Sequence, residues 1–153
     1  MLNPTNRRRF LTIAGLGAGA VAAAAVPATA ADPTAAEQAT LKVVTDFCAA
    51  WATRDLTRIL PFLSDDCVYR MTETTAPVNG HQGVSDRLKQ WLVDASLVEF
   101  KILDAKVSGP IVITHRIDRF LTKQPLTWEG VGVFFVKDGK IKEWSDYTIR
   151  VQR

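Results

Sequence analysis

Near residue 96 the hydrophobic period of this chain changes from that of helices to that of strands. Upstream, Thr34-Ala35-Ala36-Glu37 forms a capping box, and Leu41, Val44, Phe47, Cys48 and Trp51 recur at helical spacing, which predicts a first amphipathic helix to about Ala52. Asp55 caps a second, shorter helix that Pro61 ends near Leu60. A short strand follows from Cys67 to Met71, then a loop from Thr72 to Gly80 containing Pro77 and Asn79-Gly80. Val84, Leu88, Trp91 and Leu92 mark a third helix from about Val84 to Ala95. Downstream, four period-two runs cover Val98 to Val107, Ile111 to Leu121, Leu126 to Val136 and Ile141 to Val151. Ser108-Gly109-Pro110, Lys123-Gln124-Pro125 and the hairpin-like Lys137-Asp138-Gly139-Lys140 separate them. Helices first, then an antiparallel sheet, is an α+β order. A long curved sheet wrapped by three N-terminal helices makes a cone whose apolar mouth is a natural ligand site.

The first thirty residues have a different character. Arg7-Arg8-Arg9-Phe10-Leu11 leads into an Ala/Gly-rich apolar run, and Ala28-Thr29-Ala30 supplies a small-x-small cleavage pattern, together a twin-arginine export signal. The run from Leu11 to Val26 has 16 residues, short of the ~20 that a spanning helix needs. Cleavage is therefore expected near Ala30, leaving one domain, 31–153, in the periplasm or outside the cell. Gly15-Leu16-Gly17-Ala18-Gly19 lacks the preceding strand that a dinucleotide-binding loop requires.

Removing the signal also changes the charge. The chain's +3 includes Arg7, Arg8 and Arg9, and without them 16 basic residues balance 16 acidic ones. No basic block remains to hold nucleic acid or an anionic membrane surface. All four tryptophans, Trp51, Trp91, Trp128 and Trp144, stay in the exported part, so the expected partner is a small apolar molecule. Cys48 and Cys67 would meet an oxidising compartment, which permits a disulfide; two buried free thiols are the alternative.

Strand alternation puts Val112, Thr114, Arg116, Asp118 and Phe120 on one face and Ile111, Ile113, His115, Ile117 and Arg119 on the other. Arg116 and Asp118 are then neighbours, and a guanidinium can hold a carboxylate through paired hydrogen bonds. Trp144, Asp146 and Thr148 share a face of the last strand, and Tyr69 and Met71 share one of the short strand. If these faces line the cone, it holds two carboxylates, an arginine, a phenol and an aromatic rim, the outline of an acid/base site. By spacing alone, an Arg-x-Asp pair is more often a solvated ion pair, and Asp146 could equally face water.

The element order and the strings Phe62-Leu63-Ser64-Asp65-Asp66-Cys67-Val68-Tyr69, His115-Arg116-Ile117-Asp118-Arg119-Phe120 and Glu143-Trp144-Ser145-Asp146-Tyr147 resemble the limonene epoxide hydrolase family, within the nuclear-transport-factor-2-like (NTF2-like, SnoaL-like) fold. The resemblance covers essentially the whole exported domain. It implies an Asp-Arg-Asp triad of Asp118, Arg116 and Asp146, with Tyr69 helping to hold the attacking water. It further implies Asp146 as base and Asp118 as acid in epoxide opening, with no cofactor or metal. Met71 stands where the family has an asparagine, and a thioether is a poor acceptor with no donor to anchor that water. Met71, Trp144 and Phe120 are expected to border the substrate, and the domain to form a homodimer.

His81 and His115 are the only histidines, one in a loop and one opposite Arg116, so no metal-ligand spacing is present. There is no Gly-x-Ser-x-Gly elbow, Cys-x-x-Cys pair or phosphate loop. Two other readings stay open. One is an isomerase or cyclase of the same fold, moving a proton beside a carbonyl; the other is a non-catalytic module that binds a small molecule or dimerises.

Overall fold

The computed structural model describes residues 32–153. The expected export signal and its cleavage site lie outside the described residues. Helix α1 (Ala35–Ala50) opens on the Thr34 capping box, with the Glu37 amide donating to Thr34 Oγ1 and the Thr34 amide to Glu37 Oε2. A 3-10 turn over Trp51–Thr53 continues it. Helix α2 (Leu56–Ile59) is capped by Asp55, which accepts from the Thr57 amide, and it passes into a second 3-10 turn, Leu60–Phe62, at Pro61.

The sheet contains β1 (Leu63–Arg70), β2 (Val78–Asn79), β3 (Leu97–Ser108), β4 (Ile111–Leu121), β5 (Leu126–Lys137) and β6 (Lys140–Gln152), with α3 (Gly80–Leu92) between β2 and β3. Its strand order is β2-β1-β6-β5-β4-β3. Every neighbour is antiparallel except β1, which runs parallel to β6. The result is α+β with three helices against one mixed, curved and open sheet.

The four long strands lie within a residue or two of their expected bounds. At the β5–β6 hairpin both central residues have positive φ, 51° at Asp138 and 71° at Gly139, the geometry that an Asp-Gly pair favours. The first strand differs: it starts at Leu63 rather than Cys67 and ends one residue before Met71. Its added start is fastened to β6 by Leu63 opposite Ile141, beyond an irregular stretch that ends at Val68, a partner remote in sequence that local periodicity cannot reveal. Val78 and Asn79, expected in a loop, pair with Tyr69 and Val68. Helix α3 starts at Gly80 rather than Val84; its first turn, Gly80-His81-Gln82, is polar and carries no apolar signal for periodicity to register. It stops at Leu92 rather than Ala95, since the Ser96 amide already donates to Leu121 O at 2.8 Å and turns the chain into the sheet.

The core lies between α1 and the inner face of the sheet. Phe47 meets Trp144 edge-on at 5.0 Å and Phe134 at 6.1 Å, and all three are buried. Truncating Phe47 to alanine would cost about 3–5 kcal/mol. Glu37 also ties α1 to the sheet, its Oε1 accepting from the Gly109 amide in the β3–β4 turn at 2.9 Å. Cys48 and Cys67 are both buried free thiols, each pushed up to about 12 by burial, so no disulfide joins them. No helix among the described residues is long and apolar enough to cross a membrane.

Candidate active site

Strand β4 turns Val112, Thr114, Arg116, Asp118 and Phe120 inward, all buried. Across it, β5 presents Phe134, Gly132 and Gly130 opposite Val112, Thr114 and Arg116, and β6 adds Trp144 and Asp146 opposite Phe134 and Gly132. An arginine on a central strand thus meets a carboxylate two strands away. Its guanidinium is completely buried. Nε donates to Asp118 Oδ1 at 3.0 Å and Oδ2 at 3.1 Å, Nη2 to Asp146 Oδ1 at 2.7 Å, and Nη1 to Thr114 Oγ1 at 3.2 Å. Aromatic rings surround it, with Cζ 5.0 Å from the ring centre of Trp128, 5.2 Å from Phe100, 5.7 Å from Phe134 and 5.9 Å from Trp144. Such faces favour a cation that has lost its water.

The two carboxyls are held differently. Asp146 Oδ1 accepts a second bond, from Trp144 Nε1 at 2.8 Å, and the Tyr69 phenol also helps stabilise its anion. Asp118 has Arg116 alone. Burial pushes both above the ordinary carboxylate range, Asp118 to about 7, where the nearby Asp146 charge adds to the effect and Arg116 opposes it. For Arg116, burial acts downward, but Asp146 and Asp118 outweigh it and keep the guanidinium charged. Tyr69, stacked on Trp144 at 3.9 Å, is held neutral, chiefly by burial and then by Asp146.

Asp118, Asp146, Tyr69, Met71, Trp144 and Phe120 all line one cavity of about 220 Å³. Met71 reaches it from the first position beyond β1. Trp51, Trp91, Phe100 and Trp128 complete an aromatic wall, while Thr72, Thr148 and Arg153 contribute to the lining. The chamber is apolar with two carboxyls at its polar end, an arrangement that can give a proton on one side of a small ligand and take one on another. His115 lies on the outer face, 3.2 Å from Glu129, and His81 contacts the Leu63 carbonyl at 2.9 Å, so neither histidine lines it.

Sequence reasoning put Thr114 on the face of Arg116 without giving it a role, and missed the other parts that seat the arginine: Phe100, Trp128, Phe134 and the two inward glycines of β5. A signal was available in Trp128-x-Gly130-x-Gly132-x-Phe134, where aromatics flank glycines at strand period, on the same inner face as Arg116.

A family model described as a SnoaL-like domain matches residues 44–144. Among solved structures, the fold is similar to an LEH-like epoxide hydrolase of M. tuberculosis, with 26% identity, 73% of this chain and 84% of that one covered, and a TM-score of 0.66. A protein from Jannaschia sp. CCS1 described as a SnoaL-like polyketide cyclase shares 14% identity over 78% of this chain and 91% of its own, with a TM-score of 0.68. A Catenulispora acidiphila protein with a ketosteroid isomerase-like fold, in complex with trimethylamine, shares 18% identity over 69% and 84%, with a TM-score of 0.62. No curated protein matches.

Proposed function

The chain belongs to the SnoaL-like domain family, and within it we propose that the protein hydrolyses a small apolar epoxide to a diol without a cofactor. The observation that carries this reading is one buried guanidinium bridging two carboxyls that open onto an apolar cavity. A single positive charge in a dry site is balanced by one carboxylate, so the second keeps its proton. Asp146, with two donors on one oxygen, is the better place for the negative charge, and Asp118, pushed up to about 7, for the proton.

The reaction then balances. Water attacks an epoxide carbon while Asp146 accepts its proton, the carbon–oxygen bond breaks, and the ring oxygen takes the proton of Asp118. The diol leaves with Asp118 ionised and Asp146 protonated, and one proton transfer between them restores the start. Arg116 stays charged throughout and orients both carboxyls. The similarity to an LEH-like epoxide hydrolase supports this chemistry.

Met71 favours a second reading, an isomerase or cyclase in which one carboxyl moves a proton beside a carbonyl without any anchored water. A panel of epoxides assayed for diol separates the two. Turnover, with Asp118→Asn and Asp146→Asn each costing at least ~100-fold and their losses not adding, is the expected result. Absence of diol alongside exchange of a proton beside a carbonyl would replace the hydrolase by the isomerase.

Export through the twin-arginine signal and a homodimer belong to the same proposal. The outer sheet face suits a second copy: Ile111, Ile113 and Tyr147 are exposed beside half-buried Ile117, Val131, Val133 and Phe135. Of the charges around them, Glu129 is paired with His115 and Arg150 and Glu99 with Arg119, while Lys101 and Glu143 stand exposed across from Ile117 and Phe135.

A further inference from the structure

We propose that Gly132 is a positioning residue for the Arg116 guanidinium, its missing side chain forming the slot in which Nη1 lies. Gly132 sits in the middle of β5, opposite Thr114 on β4 and Asp146 on β6. A mid-strand glycine normally weakens a strand, and no turn or positive φ calls for one here. What calls for it is side-chain approach. A Cβ built at residue 132 would overlap Arg116 Nη1 and come within 2.8 Å of Phe134 Cε2 and 3.0 Å of Thr114 Oγ1.

The arginine cannot simply swing aside, although it is the end of a long side chain. Nη1 is bonded to Thr114, Nε to Asp118 and Nη2 to Asp146, and aromatic rings close the space around Cζ. Displacing a planar, fully buried fork by one nitrogen shifts all of them together. Gly130 plays a companion part: a Cβ there would overlap the Trp128 indole, which folds over this glycine to offer its face to Arg116. The alternation Gly130-Val131-Gly132 therefore leaves a shallow floor on the inner face, with Trp128 lying on one half and the guanidinium on the other, while Val131 keeps the outer face apolar.

The consequence is electrostatic as well as geometric. A methyl group at 132 would drive the guanidinium off by more than about 1 Å, the scale at which misplacement costs ~100-fold in rate. Both carboxyls would lose part of the positive charge that holds their protons more loosely. The turnover readout rests on the hydrolase reading; the titration readout does not.

The test is Gly132→Ala, followed by NMR titration of carboxyl-labelled aspartates and by epoxide kinetics. In the folded variant, the lower of the two pocket titrations is expected to move up by about one pH unit or more. Diol kcat is expected to fall ~100-fold with KM little changed, because the chamber wall stays in place. An unchanged carboxyl titration in folded Gly132→Ala would overturn the proposal. If Gly132→Ala does not fold, the same change is made with Arg116→Lys, whose side chain has no Nη1. Recovery of the fold supports the slot, and failure to recover shows that the strand itself needs the glycine and overturns it. If wild type makes no diol, the hydrolase reading fails while the titrations still decide the role of Gly132.

Discussion

Asp118→Asn tests the charge arrangement without relying on any substrate. In the folded chain Asp118 keeps its proton up to about pH 7, whereas its ordinary value is 3.8. Between those limits the native state binds more protons than the unfolded chain, so stability declines as pH rises through that window and levels off above it. From about pH 5.5 to pH 8.5 the loss from this group is roughly 2 kcal/mol. Asparagine keeps the shape, can still accept from Arg116 Nε, and has no proton to lose. Urea unfolding of wild type and Asp118→Asn at both pH values therefore should show the difference between them moving by ~2 kcal/mol against wild type on going alkaline. The catalytic counterpart has the same sign: an acid that must be protonated stops working above about pH 7, so diol formation should fall about tenfold per pH unit there. Parallel pH dependence of stability in the two proteins would mean that Asp118 titrates as an ordinary surface aspartate, and the acid role would go with it.

Three further outcomes are expected. With Arg7→Lys and Arg8→Lys combined, full-length precursor should remain in the cytoplasm in an export assay, and undiminished export would remove the twin-arginine reading. Ile113→Glu, at an exposed position in the centre of the outer sheet face, should turn a dimer into a monomer in sedimentation with unchanged circular dichroism; a wild-type protein already monomeric at micromolar concentration refutes the contact. Met71→Asn adds a donor and an acceptor beside Tyr69 and Asp146 and should raise single-turnover diol formation several-fold; a flat or lower rate with the fold intact counts against a water anchored there.

Much of this architecture was legible because it is locally encoded. The capping box at Thr34, the Asp138-Gly139 turn and the period-two runs each have a mechanism that acts within a few residues. Where expectation and structure part, the cause is a partner far away in sequence. Leu63 to Asp66 belong to a strand because β6 runs beside them, and Val78-Asn79 become one because β1 does. The site divides in the same way. Arg116 and Asp118 share a face by simple alternation, and Asp146 was placed through a family resemblance. The aromatic–glycine spacing of Trp128, Gly130, Gly132 and Phe134 is visible in the sequence, but only the register of β4 against β5 sets it against Arg116 and makes it a cradle.

That division bears on how the chemistry can vary. The arginine and both carboxyls stand on β4 and β6, in the middle of a continuous ladder, where any shift is resisted by strands on both sides. Met71 stands just past the end of β1, in a segment fastened by Arg70 Nη1 donating to the Thr75 carbonyl at 3.0 Å and by the Thr148 amide reaching Glu73 at 3.4 Å. A water anchor located there can change identity without disturbing the acid/base pair, because the loop's own bonds do not involve the residue 71 side chain. Such a pocket keeps its proton-transfer groups fixed and leaves to the β1 exit whether a water is held for attack. On the proposed reading, the polarity of this one position decides whether the acid/base pair has a water to activate, and that is what Met71→Asn tests.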